Sequence, residues 1–137
     1  MYVGLDISKT EIEICVINSN GMILHTFQVL NSRPGFHKLI ENLLDYDDIL
    51  FGMESTGPYS GNFNQFLRNI NAEVVLTNPF QVARLRDVFS KSVKTDIIDS
   101  FVIAQALRMR VLKDSHKDDQ YVFLQDLLER YYDLVES

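Results

Sequence analysis

A chain of 137 residues with 46% apolar and 23% charged residues has the size and composition of a single domain with its own core. No apolar run approaches the roughly 18–20 residues of a membrane span, and no basic region followed by an apolar block opens the chain, so a cytoplasmic setting without membrane association is expected. One cysteine, Cys15, excludes an internal disulfide; the scattered His25, His37 and His116 lack zinc-ligand spacing; and the net charge of -6 argues against a simple basic nucleic-acid binder.

The chain opens with Val3-Gly4-Leu5-Asp6-Ile7, a short apolar run closing on a carboxylate. It reads as a buried strand with Asp6 at or near its end, where the side chain can face a cleft. Ser8-Lys9-Thr10 is a polar turn, and residues 11–17 alternate as a second strand. Asn20-Gly21 is a two-residue hairpin signal leading to a third strand over 22–29, so the front of the chain is antiparallel. Asn31-Ser32-Arg33-Pro34-Gly35 ends the sheet; Ser32 or Arg33 caps a helix with Pro34 in its first turn and Phe36, Leu39, Ile40, Leu43 and Leu44 at helical spacing.

Residues 49–53 form a short buried strand followed directly by Glu54, repeating the pattern of Asp6. The Ser55-Thr56-Gly57-Pro58 stretch has no lysine where a P-loop needs one, and leads instead into a helix burying Phe63, Phe66, Leu67 and Ile70. Residues 73–76 are a fifth strand, stopped by Asn78-Pro79; a helix over 79–88 then carries Arg84 and Arg86. Asp96-Ile97-Ile98-Asp99 opens another helix with Thr95 as N-cap and Ile98, Phe101, Val102 and Gln105 along one side; Asp96, Asp99 and Ile103 share a neighbouring stripe. From 119 to 137, Tyr121, Leu124, Leu128, Tyr131 and Val135 repeat at three- and four-residue steps, as in a coiled-coil seam.

Three antiparallel strands followed by alternating helices and parallel strands is the ribonuclease H-like (RuvC-like) α/β arrangement: a five-stranded mixed sheet with helices on both faces. That topology brings Asp6, Glu54, Asp96 and Asp99 to one sheet edge. Carboxylates packed together raise one another's pKa, and divalent cations make the cluster tolerable. Oxygen-only ligands select Mg²⁺ or Mn²⁺, and two such ions about 3.5–4 Å apart suit phosphodiester displacement. Between Arg84 and Lys117 eight basic residues face four acids, leaving that segment net positive by four. Arg84, Arg86, Lys91 and Lys94 are its candidate nucleic-acid contacts.

The motifs Val3-Gly4-Leu5-Asp6-Ile7-Ser8-Lys9, Glu54-Ser55-Thr56-Gly57-Pro58-Tyr59, Asn78-Pro79 and Lys94-Thr95-Asp96-Ile97-Ile98-Asp99-Ser100 resemble the N-terminal domain of the DEDD transposases. These are the IS-one-ten group of insertion sequences and the related Piv-type DNA invertases. The resemblance covers roughly residues 1–110 and implies Asp6, Glu54, Asp96 and Asp99 as an acidic tetrad binding two Mg²⁺. It further implies DNA cleavage and rejoining in a bacterial or archaeal, nucleoid-associated setting, with a structured guide RNA as partner. A serine-containing C-terminal domain follows a helical linker in that family. Residues 1–115 therefore read as the catalytic domain and 116–137 as the start of the linker, through which a homo-oligomer would form.

Two other readings compete. One is a nucleic-acid-binding and dimerisation module without activity of its own, resting on the basic segment and the terminal heptads. The other is a fragment of an actin-like or sugar-kinase ATPase, suggested by Val-Gly-Leu-Asp-Ile, but the second domain and glycine-rich adenosine motif of those proteins are missing.

Overall fold

The computed structural model describes residues 1–54 and 60–117, so the heptad-like stretch 119–137 and residues 55–59, including the Ser55-Pro58 turn, lie outside the described residues. Strands β1 (Tyr2–Ile7), β2 (Glu11–Ile17) and β3 (Ile23–Leu30) form an antiparallel meander. Strands β4 (Leu50–Glu54) and β5 (Val74–Thr77) extend it in parallel on the far side of β1, giving the order β3-β2-β1-β4-β5. Helices α1 (Arg33–Leu43), α2 (Gly61–Asn69), α3 (Pro79–Phe89) and α4 (Ile98–Lys117) supply the connections and cover the sheet.

The period-2 alternation of strand side chains sorts the core into two layers. Val3 and Leu5 of β1, Ile12, Ile14 and Val16 of β2, and Phe51 and Met53 of β4 pack with Phe36, Leu39 and Leu43 of α1 and with Phe63 and Leu67 of α2. Fully burying such side chains stabilises the fold by about 1.5–3 kcal/mol each. On the opposite face, Cys15 and Ile17 meet Val82 of α3 and Phe101, Val102, Ile103 and Ala104 of α4. Here α4 lies directly on the central strand. A Cβ on Gly4 would stand 2.0 Å from the Ser100 carbonyl oxygen and 2.6 Å from the Ala104 nitrogen, so only a glycine lets the helix backbone come this close.

The helix starts follow from their caps. Ser32 accepts from the Gly35 amide through its side chain, and Asn78 Oδ1 accepts from Phe80 N at 2.9 Å, each with a proline in the first turn. Three expectations are corrected at the loops and helix ends. The β2–β3 connection is not a two-residue turn: Gly21 alone of the Asn20-Gly21 pair has positive φ (82°), and Asn18 Oδ1 closes a longer turn by accepting from Asn20 N and Met22 N. Helix α4 begins at Ile98, so Asp96 lies in the preceding turn and Thr95 is not the N-cap. Ile70, expected on the buried face of α2, follows the helix and is 45% exposed.

Part of the basic segment is structural. Buried Gln105 donates to Gly21 O at 2.9 Å and accepts from Arg108 Nε at 2.9 Å, while the Arg108 guanidinium packs beside Gly21. This cluster ties α4 to the β2–β3 turn.

Candidate active site

The site is a row of side chains crossing the sheet at the Asp6 end, on the face covered by α4. Register builds it. Asp6 pairs with Glu13, Glu13 pairs with Gln28, and Glu54 pairs with Thr77. The parallel β1–β4 ladder aligns Gly4 with Gly52 and Leu5 with Met53, so its next step sets Asp6 beside Glu54. Adjacent strands lie about 4.8 Å apart, which places neighbouring acids within strong electrostatic reach. Thr77 Oγ1 donates to Met53 O at 3.2 Å and fixes β5 against β4 immediately before Glu54.

Helix α4 delivers Asp99 from above the sheet. Asp99 lies in its first turn, where Ser100 Oγ donates to Ile97 O at 3.1 Å. The Asp6 carboxyl is pushed above its ordinary value of 3.8 by burial, then by the charges of Asp99 and Glu54, with Arg86 acting in the opposite sense. The charges of Asp99 and Glu54 thus both reach Asp6. Asp96 is exposed in the turn before α4. Its charge acts on Glu13, whose carboxyl is also pushed up, chiefly by burial and then by Asp96, Glu11 and Asp6.

Glu13 is the acid that the sequence reading missed. The signal was present: a tight turn at Ser8-Lys9-Thr10 forces Asp6 and Glu13 opposite one another, and Ser8 N donating to Glu11 O at 2.9 Å closes that turn. Arg86 also has a specific place. Its Nε donates to Asp99 Oδ1 at 2.7 Å, in a pair about half exposed, and so sets one positive charge inside the acid row. Arg84 is exposed on α3, while Lys91 and Lys94 are exposed in the α3–α4 connection.

Among the described residues no three His, Cys, Asp or Glu side chains stand in a ready-made metal-ligating arrangement. The donor set nevertheless fits a hard cation of the Mg²⁺ kind. It is carboxylate oxygen only, and such ions keep several waters and are held through one or two carboxylates plus substrate phosphate. A small cleft lined by Asp6, Ile7, Glu54, Ser60 and Ile103 opens at this point.

A mixed sheet in the order β3-β2-β1-β4-β5, with an acid next to the end of β1, another ending β4 and a helix laying a third carboxylate over them, defines a ribonuclease H-like domain of the RuvC kind. The family model of the DEDD transposases of the IS110 type, described as transposase, matches residues 3–137, and the chain belongs to that family. Among solved structures, the Fowlpox virus resolvase, determined in complex with its substrate Holliday junction DNA, has a similar fold. Its TM-score is 0.57 at 17% identity, over 80% of this chain and 99% of the resolvase chain. No curated protein matches the sequence.

Proposed function

We propose that this domain performs metal-dependent DNA strand cleavage and rejoining during transposition. One observation carries the reading: Asp6, Glu54 and Asp99 come from three separate elements, yet converge closely enough that, after burial, the charges of the latter two push the Asp6 carboxyl above its ordinary value. Acidic charges crowded around a half-buried carboxyl invite a cation, and Asp6, Glu54, Asp96 and Asp99 would hold Mg²⁺ or Mn²⁺, as two ions. When bound, such ions supply charge for the attacking and leaving oxygens of an in-line displacement. The chain's own residues orient the site: Gly4 lets α4 descend until Asp99 reaches Asp6, and Thr77 holds the end of β4 that bears Glu54.

Family membership and the nuclease-like fold support DNA as the substrate. Arg84, Lys91 and Lys94 are exposed and form no ion pair among the described residues, which leaves them to meet phosphate, while Arg86 serves the acid row. A structured guide RNA and self-association through 119–137 belong to the same reading, supported by family membership and the heptad pattern.

Titration of Mn²⁺ into the protein, followed by calorimetry and by loss of the free-ion EPR signal, tests the reading. Binding is expected at sub-millimolar to millimolar concentration, and Asp6→Ala and Asp99→Ala abolish it. A wild-type protein that takes up no divalent ion in that range overturns the catalytic assignment.

A further inference from the structure

Next to the acid row, on its β5 side, lies a groove of about 520 Å³ between α3 and α4, lined by Thr77, Asn78, Gln81, Arg84, Met109 and Arg110 as well as Ala106. Three observations about it point the same way. First, it adjoins the site through strand register. Thr77, on its wall, is the register partner of Glu54, one strand spacing or about 4.8 Å away. Second, its charge is of one sign, with arginines from two helices and no carboxylate in the lining.

Third, its polar groups are oriented as donors. Arg110 Nη1 donates to Leu76 O on β5 at 2.9 Å, which pins the guanidinium at the sheet edge and leaves its other N–H groups available. Asn78 uses Oδ1 for the α3 cap, so its amide N–H₂ remains to donate. Arg84 is exposed and forms no ion pair among the described residues, in contrast to Arg86, which is held by Asp99. Two guanidiniums sharing a groove without a counter-charge repel each other, and an anion between them removes that repulsion. A pinned, planar donor such as Arg110 matches phosphate better than a mobile ammonium does.

We infer that this groove binds the phosphodiester backbone of the DNA strand flanking the phosphate that reacts at Asp6, Glu54 and Asp99, with Arg84 and Arg110 on successive phosphates. The inference deepens the function proposed above and rests on it for the identity of the strand. The path is one-directional: the strand leaves the acids across Glu54 and Thr77 toward β5, not across Glu13 toward β3. An acidic chain can bind DNA this way because the attraction is local, acting within a Debye length of about 8–10 Å.

The test is the salt dependence of binding to a fluorescein-labelled DNA oligonucleotide, measured by anisotropy in EDTA so that no metal takes part. Each phosphate contact contributes about 0.7–0.9 to the slope of log K against log salt. The variant carrying Arg84→Gln and Arg110→Gln is therefore expected to lose about 1.4–1.8 of that slope. Lys38→Gln, an exposed cation on α1 at the opposite face, loses much less, which separates the groove from net charge in general. Arg84→Gln alone, at an exposed residue with no ion pair to lose among the described residues, gives about half the effect and stands in if Arg110→Gln destabilises the fold.

A double variant with the slope of wild type or of Lys38→Gln overturns the groove, as does a wild-type protein that binds no DNA. Loss confined to an RNA oligonucleotide of the same sequence overturns the assignment to DNA. Because metal is absent throughout, failure of Mn²⁺ binding and failure of the groove are read in separate experiments.

Discussion

Gly4→Ala probes whether the descent of α4 onto β1 is what assembles the acids. The new Cβ would lie 2.0 Å from Ser100 O, 2.6 Å from Ala104 N and 3.0 Å from Ala104 Cβ. A tolerable carbon–oxygen separation is about 3.3 Å, so the helix must withdraw by roughly 1.3 Å. Neither of the two nearest atoms can rotate away, because both are backbone. Overpacking of this sort costs about 1–3 kcal/mol, here toward the upper end, and lowers Tm by roughly 5–12 °C for a domain of this size.

Asp99 immediately precedes Ser100 and moves with it, away from Asp6 and Glu54. A shift near 1 Å at a reacting centre costs on the order of 10²-fold in rate, and Mn²⁺ affinity should fall at least tenfold, in the range seen when groups supporting a metal ligand are removed. Gly52→Ala is the comparison. Its Cβ would meet Leu107 side-chain atoms at 3.1 and 3.2 Å, which can yield by a few tenths of an ångström, so the loss should be much smaller. Scanning calorimetry and Mn²⁺ titration read both quantities. Gly4→Ala with wild-type Tm and wild-type Mn²⁺ affinity would refute the argument.

Three further outcomes follow from the site's charges and burial. The Asp6 and Glu13 carboxyls are raised in the folded protein, so the native state holds their protons more tightly than the unfolded chain. Their contribution to stability is present below the ordinary values of 3.8 and 4.5 and is lost as pH rises through the raised values. In EDTA, thermal stability should therefore carry a component that declines from about pH 4 toward neutrality. Asp6→Asn should flatten it and raise Tm at neutral pH, and an unchanged pH profile counts against the clustering. Arg86→Gln removes a half-exposed ion pair and should cost only about 0.2–1 kcal/mol. It also removes the guanidinium that occupies Asp99 Oδ1 and repels an incoming cation, so Mn²⁺ should bind several-fold tighter by calorimetry; weaker binding would make Arg86 a support for Asp99 instead. Cys15 is fully buried, and burial pushes its thiol up to about 12, so a disulfide reagent at pH 8 should react only after denaturant is added, and prompt labelling of the native protein contradicts the packing on that face.

Local pattern was enough to read the strands and most helices, because burial on one or both faces leaves its period in the sequence. Val3 and Leu5, and Ile12, Ile14 and Val16, declare their face by alternation, and Ser32 with Pro34 declares the start of α1. The misses fall where one side chain or one tertiary contact decides. Asn18 closes the β2–β3 turn through its amide oxygen, an option that the Asn-Gly pair masks. Asp96 has acceptable chemistry for a first helical turn, yet Ile97 N bonds back to Lys94 O and the helix starts later. The Arg86–Asp99 pair joins residues 13 apart on two helices, a proximity that only the packing of α3 on α4 creates.

The period-2 alternation of the strands explains why the acid row and the helix contact occur together. Strands β1 and β4 carry one pattern in register: Gly4-Leu5-Asp6 beside Gly52-Met53-Glu54. Leu5 and Met53 point into the α1–α2 layer, so the glycine and the acid of each triplet share the α4 face. The glycines leave a bare strip of backbone on which α4 lies, and the acids stand one pleat beyond it, where the helix begins and Asp99 projects. A bulkier residue at Gly4 would hold the helix off, and an acid one residue earlier or later would point into the apolar layer, where an unpaired charge costs several kcal/mol. The spacing glycine–apolar–acid on two adjacent parallel strands is therefore a compact instruction: it sets how close the helix comes, and from which side the third carboxylate arrives.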